Sequence, residues 1–369
     1  SETRLAWHRC DRQAGVKRDE GIKRELGKKG CEISSHSAAL LREPWTLLKK
    51  NATPYRVFTP FWKSLHNAGP GRDVSATADR LPPFDYSGIS DGLPVDALEL
   101  LPAIGWDKAF YTHWKPGEEG AWHVLERFSD NDLPDYASHR DIPANAGTSH
   151  LSPHLHFGEI SPVQLWQTLY NQAATTVAPG TIAATESWLR QLAWREFSHH
   201  LLYHLPHTPG EPMDARFKGF PWKKNYADDL ARWQHGRTGI PLVDAGMREL
   251  WTTGYMHNRV RMIVASFLTK NLLIPWQEGA RWFWDTLVDA DLANNTMGWQ
   301  WVAGCGVDAS PYYRIFNPVL QGQKFDKDGR YTRHWVPELT KLDNKFLHQP
   351  WAADPAVLAD AGVTLGKDY

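Results

Sequence analysis

Five stretches of the chain carry polar, charged and aromatic side chains at spacings that could do chemistry. In AGTSHLSPHLHFGEIS (146–161), Thr148, Ser149 and Ser152 cluster just ahead of Pro153, where a helix is expected to begin. Hydroxyls and free N–H groups at a helix start suit a phosphate or pyrophosphate, and they suit plain N-capping as well. In TESWLRQLAWREF, Trp188, Gln191, Trp194 and Arg195 recur at three- and four-residue steps and share a broad helix face. Two indoles, an amide and a guanidinium cost free energy to bury without partners. A purely structural face would carry Leu or Ile, so a ligand-lined face is the favoured reading. MHNRVRM (256–262) brings Asn258, Arg261 and Met262 together and turns Arg259 away from Arg261. DADLANN (289–295) offers Asp289 and Asp291, open either to an Arg261–Asp289 ion pair or to a solvated helix end. In WQW, Trp299 and Trp301 diverge by about 200° on a helix and face different neighbours.

Other chemistries are excluded. There is no GxGxxG, no GxxxxGK[ST] and no HExxH, so the usual dinucleotide, P-loop and zincin sites are absent. His199, His200 and His204 lie on a helix but lack a carboxylate or thiol at ligand spacing, which argues against a metal. Cys10, Cys31 and Cys305 are too few for a disulfide framework and too scattered for zinc or iron–sulfur ligation, so a reducing compartment is the simple reading.

The elements that must hold these residues are mostly helical. The chain has 369 residues, 42% hydrophobic and 22% charged, with a formal charge of −1. That is ordinary globular composition with room for a sizeable core. Collagen-like, disordered and membrane classes are ruled out; the best apolar run, Met262 to Leu268, is far short of a span. No signal peptide opens the sequence, which implies a cytoplasmic, not secreted, protein. Residues 1–60 read as the tail of an α/β unit: VKRDEGIKRELGKKG is an amphipathic helix closed by Gly30, and CEISSH is a strand. Pro and Gly then punctuate a long irregular connector, and from about Gly117 onward six segments show helical spacing of apolar residues. The 19 tryptophans fit either a bulky helical core or a site built of stacked rings.

TSHLSP, WLRQLAWREF, GRTGIPLVDAGMREL, GYMHNRVRMIVASFLTKNLLIPW, DADLANNTMGWQWVAGCG, PYYRIFNPVLQGQKFD and WVPEL follow one another between about residues 117 and 350, after an earlier PYRVFTPFWK. Taken together they resemble the photolyase/cryptochrome family of light-driven flavoproteins. The resemblance implies a mainly α fold, an all-helical FAD-binding domain preceded by an α/β, Rossmann-like antenna domain. Residues 1–60 would be a truncated remnant of that antenna domain, 61–116 an interdomain linker, and 117–369 the FAD-binding and catalytic domain. The chain starts near the family's last α/β crossover and stops short of its usual closing helix, as a fragment would.

The same resemblance assigns residues. Tyr136, Thr148, Ser149, Leu151 and Ser152 would hold the FAD phosphates and ribityl region, with Trp188 and Arg195 as further flavin contacts. Arg261, Asp289 and Asp291 match the charged set around the isoalloxazine, and Asn295 the residue facing flavin N5. Trp299, Trp276 and Trp222 match the chain of three indoles that carries electrons from the surface to the excited flavin. Asn258 and Met262 match the cyclobutane dimer branch, where animal (6-4) photolyases have two histidines. Trp194 and Trp301 match the rings packed against a flipped dimer, a pair that plant cryptochromes tend to lose. Three cysteines cannot supply the four of the iron–sulfur (6-4) branch. Gln191 departs from the pattern, because most dimer photolyases of this type have a Glu there; an amide donates a hydrogen bond without needing to be protonated. Arg140, Arg259, Arg314 and Gln321 match the rim that meets flanking phosphates.

The expected activity is therefore light-driven repair of cyclobutane pyrimidine dimers in DNA, with a blue-light receptor or (6-4) photolyase as the alternative. The expected cofactor is FAD, joined in the family by an antenna pigment (folate, deazaflavin or FMN). The expected partner is UV-damaged DNA, bound by a monomer near the nucleoid, with neither metal nor membrane.

Overall fold

A computed structural model describes residues 4–9, 13–74, 92–175, 180–308 and 315–369. Arg314 lies outside the described residues.

The first segment is a βαβ unit. Strand β1 (Arg4–His8) runs parallel to β2 (Glu32–His36), with Arg4 opposite Glu32 and His8 opposite His36. Helix α1 (Gln13–Lys28) makes the crossover, and Gly30 takes the left-handed conformation (φ 76°) that ends it. Sequence reasoning found α1 and β2 but not β1. The charged ends of RLAWH and its alternating half-exposed pattern leave little apolar signal.

Helix α2 (Phe58–Ala68) buries Phe58, Phe61, Trp62 and Leu65. The expected start of a linker at residue 61 thus falls inside a packed helix. What carried the segment into the connector was its Pro-rich sequel, yet its apolar residues stand at helical spacing and pack on the long helix described next. The later end of the connector is also held: Trp114 Nε1 donates to Thr253 O at 2.7 Å.

The remainder is helical. Helices α3 (Glu118–Arg127), α4 (Tyr136–His139), α5 (Ser152–Phe157), α6 (Pro162–Thr175) and α7 (Thr181–His204) follow in order. They share one core with α2, built on Phe61, Trp62, Phe128, Trp166 and Phe197. Helices α8 (Ala227–Gln234), α9 (Pro241–Thr253), α10 (Asn258–Ser266), α11 (Trp276–Thr286) and α12 (Leu292–Ala303) build a second core around the fully buried Trp233. Helices α7 and α12 pack against each other where the two cores meet. Pro241 at the first turn of α9 and left-handed Gly254 (φ 68°) at its end set that helix's limits.

Two helices are shorter than their sequence periodicity predicts, and both breaks matter for the site. NRVRMIVASFLTKNLL leaves regular α-helix at Ser266 and passes through a π-helical turn, Phe267–Asn271. EGARWFWDTLVDADL stops at Thr286, where Leu287 is extended and Val288 N donates to Gly254 O at 2.8 Å. Asp289 and Asp291 consequently sit in the junction between α11 and α12. Asp291 caps α12 by accepting from Asn294 N at 2.8 Å.

Candidate functional site

The α11–α12 junction, the start of α5 and the first turns of α10 meet around Asp289. Its Oδ2 accepts from Ser152 Oγ at 2.6 Å and from Arg261 Nη2 at 2.9 Å. Of the two earlier readings, the ion pair is the one formed. Arg261 is fixed further by Met256 O, 2.6 Å from its Nε, and by the Tyr255 ring, 5.1 Å from the guanidinium carbon. Asp289 Oδ1 is buried and has no hydrogen-bond partner in the chain. A buried carboxylate oxygen left unpaired costs free energy that a bound donor would recover. That unpaired oxygen, with hydroxyl and guanidinium groups around it, fits a polar cofactor edge.

The hydroxyl cluster is not a capping device. Leu151 occupies the N-cap of α5 and no side chain there caps the helix. Ser152 turns its hydroxyl to Asp289 instead, Thr148 and Ser149 remain part-buried beside it, and Leu151 is buried beneath. His150, between them, holds a left-handed backbone (φ 54°), which a non-glycine residue adopts at a cost.

Along α7 the polar face divides. Trp188 is buried against Phe128, 6.0 Å between ring centres, and Phe128 meets Tyr136 edge-on at 5.8 Å. Arg195 Nη1 donates to Ala39 O at 2.5 Å, reaching the segment that follows β2. Gln191 is part-buried, and among the described residues its side chain has no hydrogen-bond partner, so its amide can meet a ligand. Trp194 stacks flat on Phe58, 3.6 Å between ring centres, and stays part-exposed. Trp301 also stays part-exposed and tilts against Phe316 at 6.2 Å, so the two expected lesion rings are not in contact with one another. On α10, Asn258 Nδ2 lies 3.9 Å from Met262 Sδ, which puts that pair on one face.

The three indoles of the expected electron chain line up by burial. Trp299 and Trp276 are each 2% exposed, whereas Trp222 is part-exposed. Trp299 lies on α12 one turn beyond Asn295, whose Nδ2 donates to Ala280 O at 2.9 Å. The Trp299 ring rests on Gly279 of α11, where a Cβ would collide with it. Trp276 starts the same helix, one turn earlier, and Trp222 shares a cavity wall with it.

Of the expected rim, Arg140 is half-buried with its guanidinium 5.2 Å from the Tyr136 ring centre. Arg259 is more tightly held, by an ion pair to Asp141 at 2.8 Å and by the Phe325 ring at 4.5 Å. Gln321 is part-buried on helix α13 (Pro318–Phe325), with Oε1 buried and unpartnered.

Sequence reasoning missed several neighbours. His199 Nε2 lies 3.4 Å from Asp291 Oδ2. Burial pushes the Asp291 carboxyl up, but His199 and Arg195 outweigh it and hold the group well below the usual range. Glu196, beside Arg195, is buried and accepts from Leu41 N at 2.9 Å and Arg42 N at 3.3 Å; burial raises its carboxyl to about 7. Tyr255, His150 and Trp114 form a ring cluster behind Arg261. Burial lowers His150 and His257 to about 4 and raises the Tyr255 hydroxyl to about 12, so uncharged rings surround the guanidinium at neutral pH. Fully buried Trp233 meets Trp299 edge-on at 6.2 Å. The repeated histidines of α7 were the one available signal, and spacing alone could not give Asp291 as a partner. Among the described residues no group of three His, Cys, Asp or Glu could hold a metal.

Residues 188–369 match the family model for the FAD binding domain of DNA photolyase, and residues 2–80 the model for DNA photolyase. A deoxyribodipyrimidine photo-lyase of Agrobacterium fabrum is 46% identical over 99% of this chain and 75% of its own length. The chain belongs to the photolyase/cryptochrome family. Cryptochrome-2 of Arabidopsis thaliana is 36% identical over 100% of this chain and 61% of its own length. The crystal structure of a bacterial class III photolyase from Agrobacterium tumefaciens superimposes with a TM-score of 0.89, at 44% identity, over 99% of this chain and 75% of that one. The photolyase fold, with an N-terminal α/β part and a helical FAD-binding part, is thereby established for residues on both sides of α2. Among the described residues, no helix is long and apolar enough to cross a membrane.

Proposed function

We propose that the protein is a deoxyribodipyrimidine photo-lyase that uses FAD and light to split cyclobutane pyrimidine dimers in UV-damaged DNA. The observation that carries this reading is the likeness to a named photo-lyase over nearly the whole chain, in which both Trp194 and Trp301 are present and part-exposed.

When bound and reduced, FAD supplies the photoexcited electron. The residues do the rest. Ser152, Arg261 and Asp289, joined to one another, would hold the cofactor's polar edge, and the unpaired Asp289 Oδ1 could accept a donor from it. Asn295, kept in place by its bond to Ala280 O, would lie at the reacting ring edge. Buried Trp188, Leu151 and Tyr136 exclude water from the rest of the pocket. A dimer leaves the duplex at a cost of a few kcal/mol, in a process for which photolyases are themselves a standard example. Stacking on Trp194 and Trp301 offsets roughly 1–3 kcal/mol per base. Gln191 donates its amide to a pyrimidine carbonyl, and Asn258 and Met262 fill the remaining side. Trp222, Trp276 and Trp299 would carry electrons inward from the part-exposed Trp222 to the buried pair. The protein acts as a monomer, and an antenna pigment bound by the α/β part would broaden its absorption.

The test is a repair assay. Photoreduced protein is mixed with a thymine-dimer oligonucleotide and illuminated with near-UV or blue light, and thymine absorbance is followed. Light-dependent recovery is expected. A protein that binds and photoreduces FAD but recovers no thymine would instead be a receptor or a (6-4) enzyme. Gln191 is the observation on that side.

A further inference from the structure

Beside the outer end of the indole series lies a cavity of about 320 Å³ lined by Pro212, Phe217, Trp222, Trp276, Ala303 and Cys305. Sites for small molecules start at about this size. Its walls are preformed. Gln300 Nε2 donates to Thr208 O at 2.6 Å and to Glu211 O at 2.9 Å, while its Oε1 accepts from Met213 N at 2.8 Å. These bonds fix the loop that carries Pro212. Asp214 N donates to Cys305 O at 2.9 Å and Lys223 N to Leu273 O at 2.8 Å, which anchor the segments on either side of Phe217 and Trp222.

The cavity also selects by charge. Lys218 at its edge pairs with Glu211 at 2.7 Å. Glu278 accepts from Tyr226 Oη at 2.9 Å and pairs with Arg281. With Lys218 and Glu278 already paired, an ionic occupant gains no free counter-charge, whereas Trp222, Trp276, Phe217, Pro212 and Pro275 favour a flat neutral one, and the unpartnered Gln277 Oε1 can accept a hydroxyl.

We propose that this cavity docks a small neutral phenol or hydroquinone, which passes one electron to Trp222 or Trp276 after that ring has been oxidised. The proposal rests on reading these indoles as an electron chain. The donor loses one electron, and the proton of its O–H goes to water. The indole radical cation gains that electron and returns to the closed-shell indole. No other bond changes. Docking in advance places the donor at the ring before oxidation, so regeneration does not wait on collision.

The experiment follows FAD photoreduction in the holoprotein under anaerobic blue light, as a function of hydroquinone concentration. Ferrocyanide serves as an anionic donor unsuited to the cavity, and hydroquinone binding in the dark is read separately by saturation-transfer NMR. A saturating rate is expected with hydroquinone and a linear one with ferrocyanide. Ala303→Leu, which fills the cavity, should raise the half-saturating concentration by about tenfold, the factor that 1.4 kcal/mol of lost contact represents. Phe217→Ala, which opens the wall without adding bulk, should raise it in the same direction. Both variants should leave the ferrocyanide rate and the transient indole radical unchanged. A linear hydroquinone response in the wild type, or an unchanged half-saturation in both variants, would overturn docking alone. No indole radical in the wild type would overturn the electron chain and the proposal with it.

Discussion

Gln191 presents a neutral amide where the family resemblance points to a carboxylic acid as the commoner choice, and no neighbour among the described residues hydrogen-bonds it. An amide hydrogen bond to a carbonyl that gains negative charge is a weaker stabiliser than one from an acid able to share its proton. The difference between ordinary and charge-assisted hydrogen bonds is about 1 kcal/mol, roughly fivefold in a rate. Gln191→Glu should speed dimer splitting by up to about that factor, raise thymine recovery per flash and leave FAD content unchanged, as read by thymine and flavin absorbance. Two arginines expected at a DNA rim should part company in the same way. Arg259 is already paired with Asp141, whereas among the described residues the Arg140 guanidinium meets the Tyr136 ring and no carboxylate. Arg140→Ala should therefore lower the slope of log affinity against log salt by about 0.9. Arg259→Ala should change that slope by much less, and binding titrations at several salt concentrations would compare them.

At the scale of elements, α7 ties the flavin half to the α/β half. Its Glu196 reaches the backbone N–H groups of Leu41 and Arg42 across 155 and 154 residues of chain. Burial lifts its carboxyl to about 7, above the ordinary glutamate value of about 4.3. The folded state then holds the proton more tightly than the unfolded chain. This contribution to stability is complete below about pH 4.3 and lost as pH rises through about 7. Glu196→Gln keeps an acceptor oxygen for both N–H groups but cannot ionise. It should flatten the pH dependence of melting between about 4.3 and 7 and should be the more stable protein at pH 8. The contact of α11 with α12 is equally specific. Trp299 lies on Gly279, so Gly279→Ala must push the indole aside, at a cost of about 1–3 kcal/mol by the usual penalty for overpacking. Denaturant melting would read that loss, and a slower transient indole signal would show that the ring had moved.

For the whole molecule, local order was legible and long-range pairing was not. The apolar spacing in TESWLRQLAWREFSHHLLYHL predicts a helix, and α7 spans Thr181–His204. The divergence of Trp299 and Trp301 also follows from helix geometry, one ring meeting Phe283 and the other Phe316. Periodicity cannot tell that α10 yields to a π-helical turn at Phe267, because the apolar pattern runs on through it. Nor can it supply Glu196 with the amides of Leu41 and Arg42, or His199 with Asp291, because those partners are chosen by how helices pack. Residue assignments in the site came from ordered motifs, and geometry then joined Ser152, Arg261 and Asp289. That junction has a consequence for synthesis. Ser152 and Asp289 are separated by 137 residues. At translation rates of about 5–20 residues per second, the second half of the clasp leaves the ribosome roughly 7–30 s after the first. A nascent chain that has made only α5 and α7 therefore has no clasp to close. Stalled ribosomes bearing chains that end before Asp289 should carry no bound flavin, while completed and released chains should, so cofactor capture is an event of late or completed translation.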